Sequence, residues 1–181
     1  MNQIPSDKLH RARGFTLLEL VVSIAILAVM VGIAAPSMQT LVSGNRVEAV
    51  AQSMYSSLMS ARSEAVARNQ SVFICKSADG TNCVTSNYWE QGWLVFVDEN
   101  SNGSKDTGET IISVVSALDS GYTLRTGTPY ADKLQYRPDG TVNDSDTFRL
   151  CPPSNDPADG ISLILNITGR PRGAEGSGTC P

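Results

Sequence analysis

Gly14-Phe15-Thr16-Leu17-Leu18-Glu19-Leu20 heads the stretch that decides the fold, and an apolar run follows it to Met38. Between Leu20 and Met38 no side chain is charged; only Ser23, Gly32, Pro36 and Ser37 interrupt a run of Leu, Val, Ile, Ala and Met. That length is close to the ~20 residues a helix needs to cross the hydrocarbon core of a bilayer. Glu19 stands at the head of the run, with Lys8, Arg11 and Arg13 just before it. An ionisable side chain near the centre of a span costs roughly 2.5–3.5 kcal/mol on insertion scales, and less near an interface. Such a group implies a partner. A secretory signal peptide shares the basic start and apolar middle, but its apolar region is shorter and ends at a small-residue cleavage site. Here no such site precedes a polar start, and the helical pattern continues past Ser37.

Working outward, residues 15–69 read as one long helix. Its first half, 15–38, is apolar nearly all round, as a helix surrounded by lipid or by other helices should be. Pro36 is expected to kink it or weaken a turn. Its second half, 39–69, is amphipathic: Val47, Val50, Met54, Leu58, Ala61 and Ala65 recur every three or four residues and form one stripe that a sheet should cover. Arg68 and Asn69 mark its end. From residue 70 to 181 short β-type runs alternate with turn residues, at 71–75, 93–97, 111–116, 121–125, 134–137, 148–150 and 161–167. The expected class is α+β: a long N-terminal helix, half transmembrane and half amphipathic, packed on an antiparallel β-sheet domain.

Four cysteines lie beyond the apolar run, and four permit three connectivities. Cys75–Cys83 with Cys151–Cys180 is favoured, because the first closes a small polar loop and the second ties down the C-terminus. Each bridge contributes roughly 2–4 kcal/mol, mainly by restricting the unfolded chain. Disulfides place the domain in an oxidising compartment. With the basic segment inside, the C-terminal part faces the periplasm or the exterior.

The 14-residue head, with its glycine, phenylalanine and glutamate at fixed spacing, resembles the class III leader of type IV pilins and pseudopilins. The resemblance implies cleavage of residues 1–14 by a prepilin peptidase after Gly14 and N-methylation of Phe15. It implies that Glu19 pairs with the Phe15 amine of a neighbouring subunit. A buried carboxylate is tolerable only when matched, which gives that pairing a physical logic. Farther on, the block from Trp89 to Gly103, with Gly92, Trp93, Phe96, Asp98, Asn100 and Asn102, is similar to that of the GspH/FimT/FimU group of minor pilins. That implies a GspH-like fold. It also implies a single-pass inner-membrane protein with a periplasmic domain, later incorporated with other major and minor pilin subunits, at the tip of a pilus or pseudopilus.

Two local motifs could carry chemistry. Asp98, Asn100, Asn102, Gly103 and Glu109 fit D-x-[DN]-x-[DN]-G-x5-E, the spacing of a calcium loop, with Asp106 as a further acid. The competing reading is a polar β-hairpin whose Asn-Gly supplies a positive φ, and the family resemblance favours the hairpin. The second motif is Gly169-Arg170-Pro171-Arg172-Gly173, expected in a loop tethered by the 151–180 bridge; the competing reading is two solvated arginines in a terminal strand or loop. Arginine grips phosphate through paired hydrogen bonds. The motif is similar to the G-R-x-R of FimT-type pilins, which implies sequence-independent binding of double-stranded DNA for natural transformation through Gly169, Arg170 and Arg172. Arg125, Arg137 and Arg149 would widen the patch if the fold placed them beside it.

Composition sets limits on these readings. The chain has 14 basic and 18 acidic residues, and loss of Lys8, Arg11, Arg13 and Asp7 with the leader leaves a net charge of −6. An acidic chain offers no bulk field to a polyanion, so a DNA contact has to be local. The mature chain has no histidine, no G-x-S-x-G and no phosphate-binding Gly-Lys-Ser/Thr loop. Asp139, Asp144, Asp146, Asp156 and Asp159 sit beside prolines and glycines, where turn chemistry accounts for them. The reading is a structural subunit rather than an enzyme. The alternatives are a GspH-type pseudopilin of type II secretion and a calcium-binding surface adhesin.

Overall fold

The computed structural model describes residues 15–86, 88–176 and 178–180, and leaves the side chains of 34–37 and 39–41 undescribed. The leader, including Gly14, therefore lies outside the described residues. Helix α1 spans Leu17–Arg68 and its assignment is continuous through Pro36. Its start is capped: the Thr16 hydroxyl accepts from the Glu19 N–H at 3.2 Å, the bond that makes threonine a good first residue. Its end turns left-handed at Asn69 (φ 53°), where the Gln70 N–H donates to Ala65 O at 3.3 Å.

The chain forms two compact units, Met1–Thr40 and Leu41–Pro181. In the first, every residue from 15 to 33 is exposed. Leu17 is 81% exposed and Ile33 73%. An all-apolar helix surface of this kind is stable only against lipid or other helices. Among the described residues no helix is long and apolar enough to cross a membrane. The sequence continues the same apolar run to Met38, through residues whose side chains are undescribed.

In the second unit two four-stranded antiparallel sheets share one core with α1. Sheet A has the order β3-β2-β1-β5, from β1 (Ser71–Lys76), β2 (Gly92–Asp98), β3 (Ile111–Ser116) and β5 (Lys133–Tyr136). Sheet B has the order β4-β6-β7-β8, from β4 (Thr123–Arg125), β6 (Asp146–Cys151), β7 (Ile161–Leu165) and β8 (Pro171–Glu175). The expected stripe is buried, with Met54, Leu58, Ala61 and Ala65 inaccessible to solvent. It meets Ile74, Trp93 and Val95 of sheet A and Phe148, Leu150 and Leu163 of sheet B. The indole of Trp93 donates to Ser57 Oγ at 2.9 Å, so its one polar atom is matched inside the core. Gly92 precedes it with φ 105°, and a Cβ there would lie 2.5 Å from Val115 O.

Most expected strands are present with shifted ends. β6 begins earlier than expected because Asp146 and Thr147 pair with Leu165 and Ile164, and β7 stops at Leu165 where the turn to Gly169 begins. One correction is larger. Of the Gly-Arg-Pro-Arg segment, expected in a tethered loop, Gly169 and Arg170 do lie in a turn, but Pro171 and Arg172 begin an edge strand, β8. Proline at the first position of an edge strand removes no bond the sheet needs.

Candidate functional site

Sheet B has two unlike faces. Phe148, Leu150, Leu163 and Leu165 point into the core. The residues between them point outward, as the two-residue period of a strand requires. Register then sets the outer rows: Arg125 opposite Arg149, Arg149 opposite Ser162, and Ser162 opposite Ala174. The next row is Thr147, Ile164 and Arg172. Arg170 lies in the turn that leads into β8, and both Arg170 and Arg172 are exposed. Among the described residues, no hydrogen bond or ion pair engages the guanidinium of Arg149, Arg170 or Arg172.

The turn before Arg170 is fixed from below. The Tyr136 hydroxyl donates to Gly169 O at 3.2 Å, and burial pushes that phenol's pKa well above its ordinary value, so it stays a donor. Gly169 has φ 72°, and a Cβ there would sit 2.0 Å from Gly140 O. Its missing side chain is used for packing between two turns. Arg62 reaches the same carbonyl, Gly140 O, at 3.0 Å.

The structure separates the three arginines that could widen the patch. Arg149 lies on the same outward face as Arg172. Arg125 is engaged: it donates to Glu90 and its guanidinium carbon lies 3.7 Å from the centre of the Tyr88 ring. Arg137 lies off the outer face of sheet B, beyond β5, in the turn whose Gly140 N–H donates back to Arg137 O at 2.8 Å.

Both expected disulfides are present, Cys75–Cys83 and Cys151–Cys180. The 98–109 segment is a polar loop leading from β2 into β3. Asp98 accepts from the Asn102 and Gly103 N–H groups at 3.1 and 2.9 Å. Asp106 receives the amides of Asn100 and Asn102 at 2.7 and 2.6 Å. Those bonds hold its carboxyl below its ordinary pKa. Glu109 accepts from the Glu99 and Asp106 N–H groups. Gly103 supplies the expected positive φ, 72°. Among the described residues no group of three or more His, Cys, Asp or Glu side chains is placed to hold a metal ion.

Three of the clustered aspartates serve turns. Asp139 accepts from the Thr141 N–H at 2.9 Å, Asp146 from the Gly127 N–H at 3.0 Å, and Asp156 from the Ala158 N–H at 2.9 Å. At the other end of the chain, Phe15 and Glu19 are exposed at the head of α1.

The family model described as Type II transport protein GspH matches residues 50–169, and that for the prokaryotic N-terminal methylation motif matches residues 9–35. A pilin-like protein of Thermus thermophilus, PilA1, is 37% identical over 99 residues, 54% of this chain and 55% of that protein. The chain thus spans about half the length of this curated relative. The type IV minor pilin FimU of Pseudomonas aeruginosa has the same fold, with a TM-score of 0.57 at 20% identity, covering 76% of this chain and 93% of that one. The minor pseudopilin EpsH of the Vibrio cholerae type 2 secretion system also shares it, with a TM-score of 0.51 at 18% identity, over 72% of this chain and 97% of that one. An apolar, exposed N-terminal helix behind a methylation motif suits membrane insertion and assembly with like subunits. The chain belongs to the GspH family of minor pilins and pseudopilins, structural subunits rather than enzymes.

Proposed function

We propose that this subunit is a minor pilin of a type IV pilus that captures double-stranded DNA, without regard to sequence, through Arg170 and Arg172. In this reading the prepilin peptidase removes residues 1–14 at the inner membrane, Phe15 is methylated, and the domain from residue 70 faces the periplasm. Glu19 then pairs with the Phe15 amine of a neighbour, and the subunit joins the pilus at its tip. The observation that carries DNA capture is the exposure of two unpaired arginines on an edge strand and its entry turn. A GspH-type pseudopilin of type II secretion is the second reading, since the fold is shared by both kinds of subunit; the free arginine pair favours the pilus.

The test is a gel shift with the full chain in detergent micelles and a DNA duplex. Binding should fade as salt rises, because phosphate contacts release counterions. Arg170→Gln with Arg172→Gln should remove it, and unchanged affinity in that double variant would end the DNA assignment. A calcium-dependent adhesin is a reading of a different class, carried by Asp98, Asn100, Asn102 and Glu109. Their loop is already knit by its own donors, so calorimetric titration with millimolar Ca²⁺ should give no saturable heat. Saturable heat that disappears in Glu109→Gln would move the assignment.

A further inference from the structure

The outer face of sheet B carries a shallow groove of about 550 Å³ that neither the family match nor the Gly-Arg-Pro-Arg motif assigns. Its floor is Thr147, Arg149, Ser162 and Ile164, and its walls are the 157–158 turn and Gly176. The wall is anchored: Ser162 Oγ donates to Gly176 O at 2.8 Å and the Gly176 N–H to Gly160 O at 2.9 Å. Arg149 and Arg172 stand on this one face, two strands and one register row apart. Strand and residue spacings put their Cα atoms roughly 12 Å apart, about the rise of three or four phosphates along one DNA strand.

We propose that Arg149 is a third phosphate-binding arginine, and that the surface for duplex DNA runs across the outer face of sheet B from Arg149 to Arg172 and Arg170. This rests on the DNA-capture reading and adds a residue and a direction to it. The acids nearby set the direction. Asp156 and Asp159 flank the 157–158 turn, and Glu175 borders the groove at that same end. Arg172 and Arg170 lie toward the other end, where β7 passes into β8. A polyanion therefore tracks away from the acidic turn. Arg125, next to Arg149 in register, contributes little because Glu90 already neutralises it.

Fluorescence anisotropy of the full chain in detergent, with a labelled duplex over a salt series, tests this. Arg149→Gln should weaken binding about 3–10-fold at low salt and flatten the log–log salt slope by about 1, the share of one phosphate contact. Arg149→Lys should restore most of the slope, which a purely structural arginine would not require. Thr147→Glu, which removes no arginine and puts a carboxylate on the same face, should also weaken binding. Unaltered thermal melting identifies variants that remain folded; if Arg149→Gln fails that check, Thr147→Glu and Arg149→Lys decide. Wild-type affinity and slope in Arg149→Gln, with binding still lost in the Arg170/Arg172 double variant, would overturn this proposal and leave DNA capture standing. No binding by the wild type at low salt would overturn both.

Discussion

On the outer face of sheet A, Phe73, Leu94 and Phe96 lie buried, with Phe73 and Phe96 stacked at 5.5 Å between ring centres. The Cys75–Cys83 bridge packs against them, and Lys133 donates to Gly103 O, drawing the 99–110 loop across Phe73. On the outer face of sheet B the corresponding positions are Thr147, Arg149, Ser162, Ile164 and Arg172; Gly176 covers Ser162, but Thr147, Arg149 and Ile164 are half-buried and Arg172 is exposed. Both sheets give their inner faces to the same core. In sheet A the central strands β1 and β2 are buried on both sides, and β2 has no residue that is not buried, while the edge strand β3 leaves Ile111 and Val114 exposed. Sheet B holds the core with one face and leaves the arginines of the other without an intramolecular ion pair among the described residues.

That contrast can be broken by substitution, and the largest effect belongs to the centre of sheet A. Trp93→Ala should destabilise the domain by about 3–5 kcal/mol, as loss of a buried aromatic does, measured by thermal or denaturant unfolding. A smaller loss would mean that sheet B dominates the core. The bridges come next. Loop-closure entropy predicts about 3.5 kcal/mol for removing Cys151–Cys180, whose loop is longer, and about 2.5 kcal/mol for Cys75–Cys83. The reverse order would show that sealing the face over Phe73 and Phe96 outweighs chain entropy.

Acid should act first on surface turns, two of which belong to the loops beside sheet A. Hydrogen bonds from Asn82, Asn100 and Thr141 lower the pKa values of Asp79, Asp106 and Asp139 below the ordinary 3.8. Carboxyls more acidic when folded add stability at pH above their unfolded value, and that contribution fades as pH falls through the lowered folded values. Melting temperature should therefore drop below about pH 4, and less steeply in Asp79→Asn. An identical acid profile in that variant would remove the loop from the account. The smallest expected effect is on the open face. Arg170→Gln with Arg172→Gln should change stability by no more than about 0.5 kcal/mol, as exposed substitutions do. A larger loss would mean that these arginines also hold sheet B together.

The leader pattern, Glu19 at the head of an apolar run, the helix to Arg68 and the stripe from Val47 to Ala65 were all legible in the sequence. Each depends on residues a few positions apart, where spacing alone sets which side chains share a face. The four cysteines also paired as their spacing suggested. The division into two sheets was not legible, nor was the strand formed by Pro171–Glu175, because an edge strand depends on a neighbour distant in sequence. The three arginines make the point most sharply. Arg125, Arg137 and Arg149 are alike as letters in a sequence. Only the register of β6, β7 and β8 puts Arg149 on the open face with Arg172, and only the fold brings Glu90 of the 89–91 turn to Arg125 and leaves Arg137 in another turn. Local periodicity determined helix α1 and its buried stripe; long-range strand pairing decided which charges were left free.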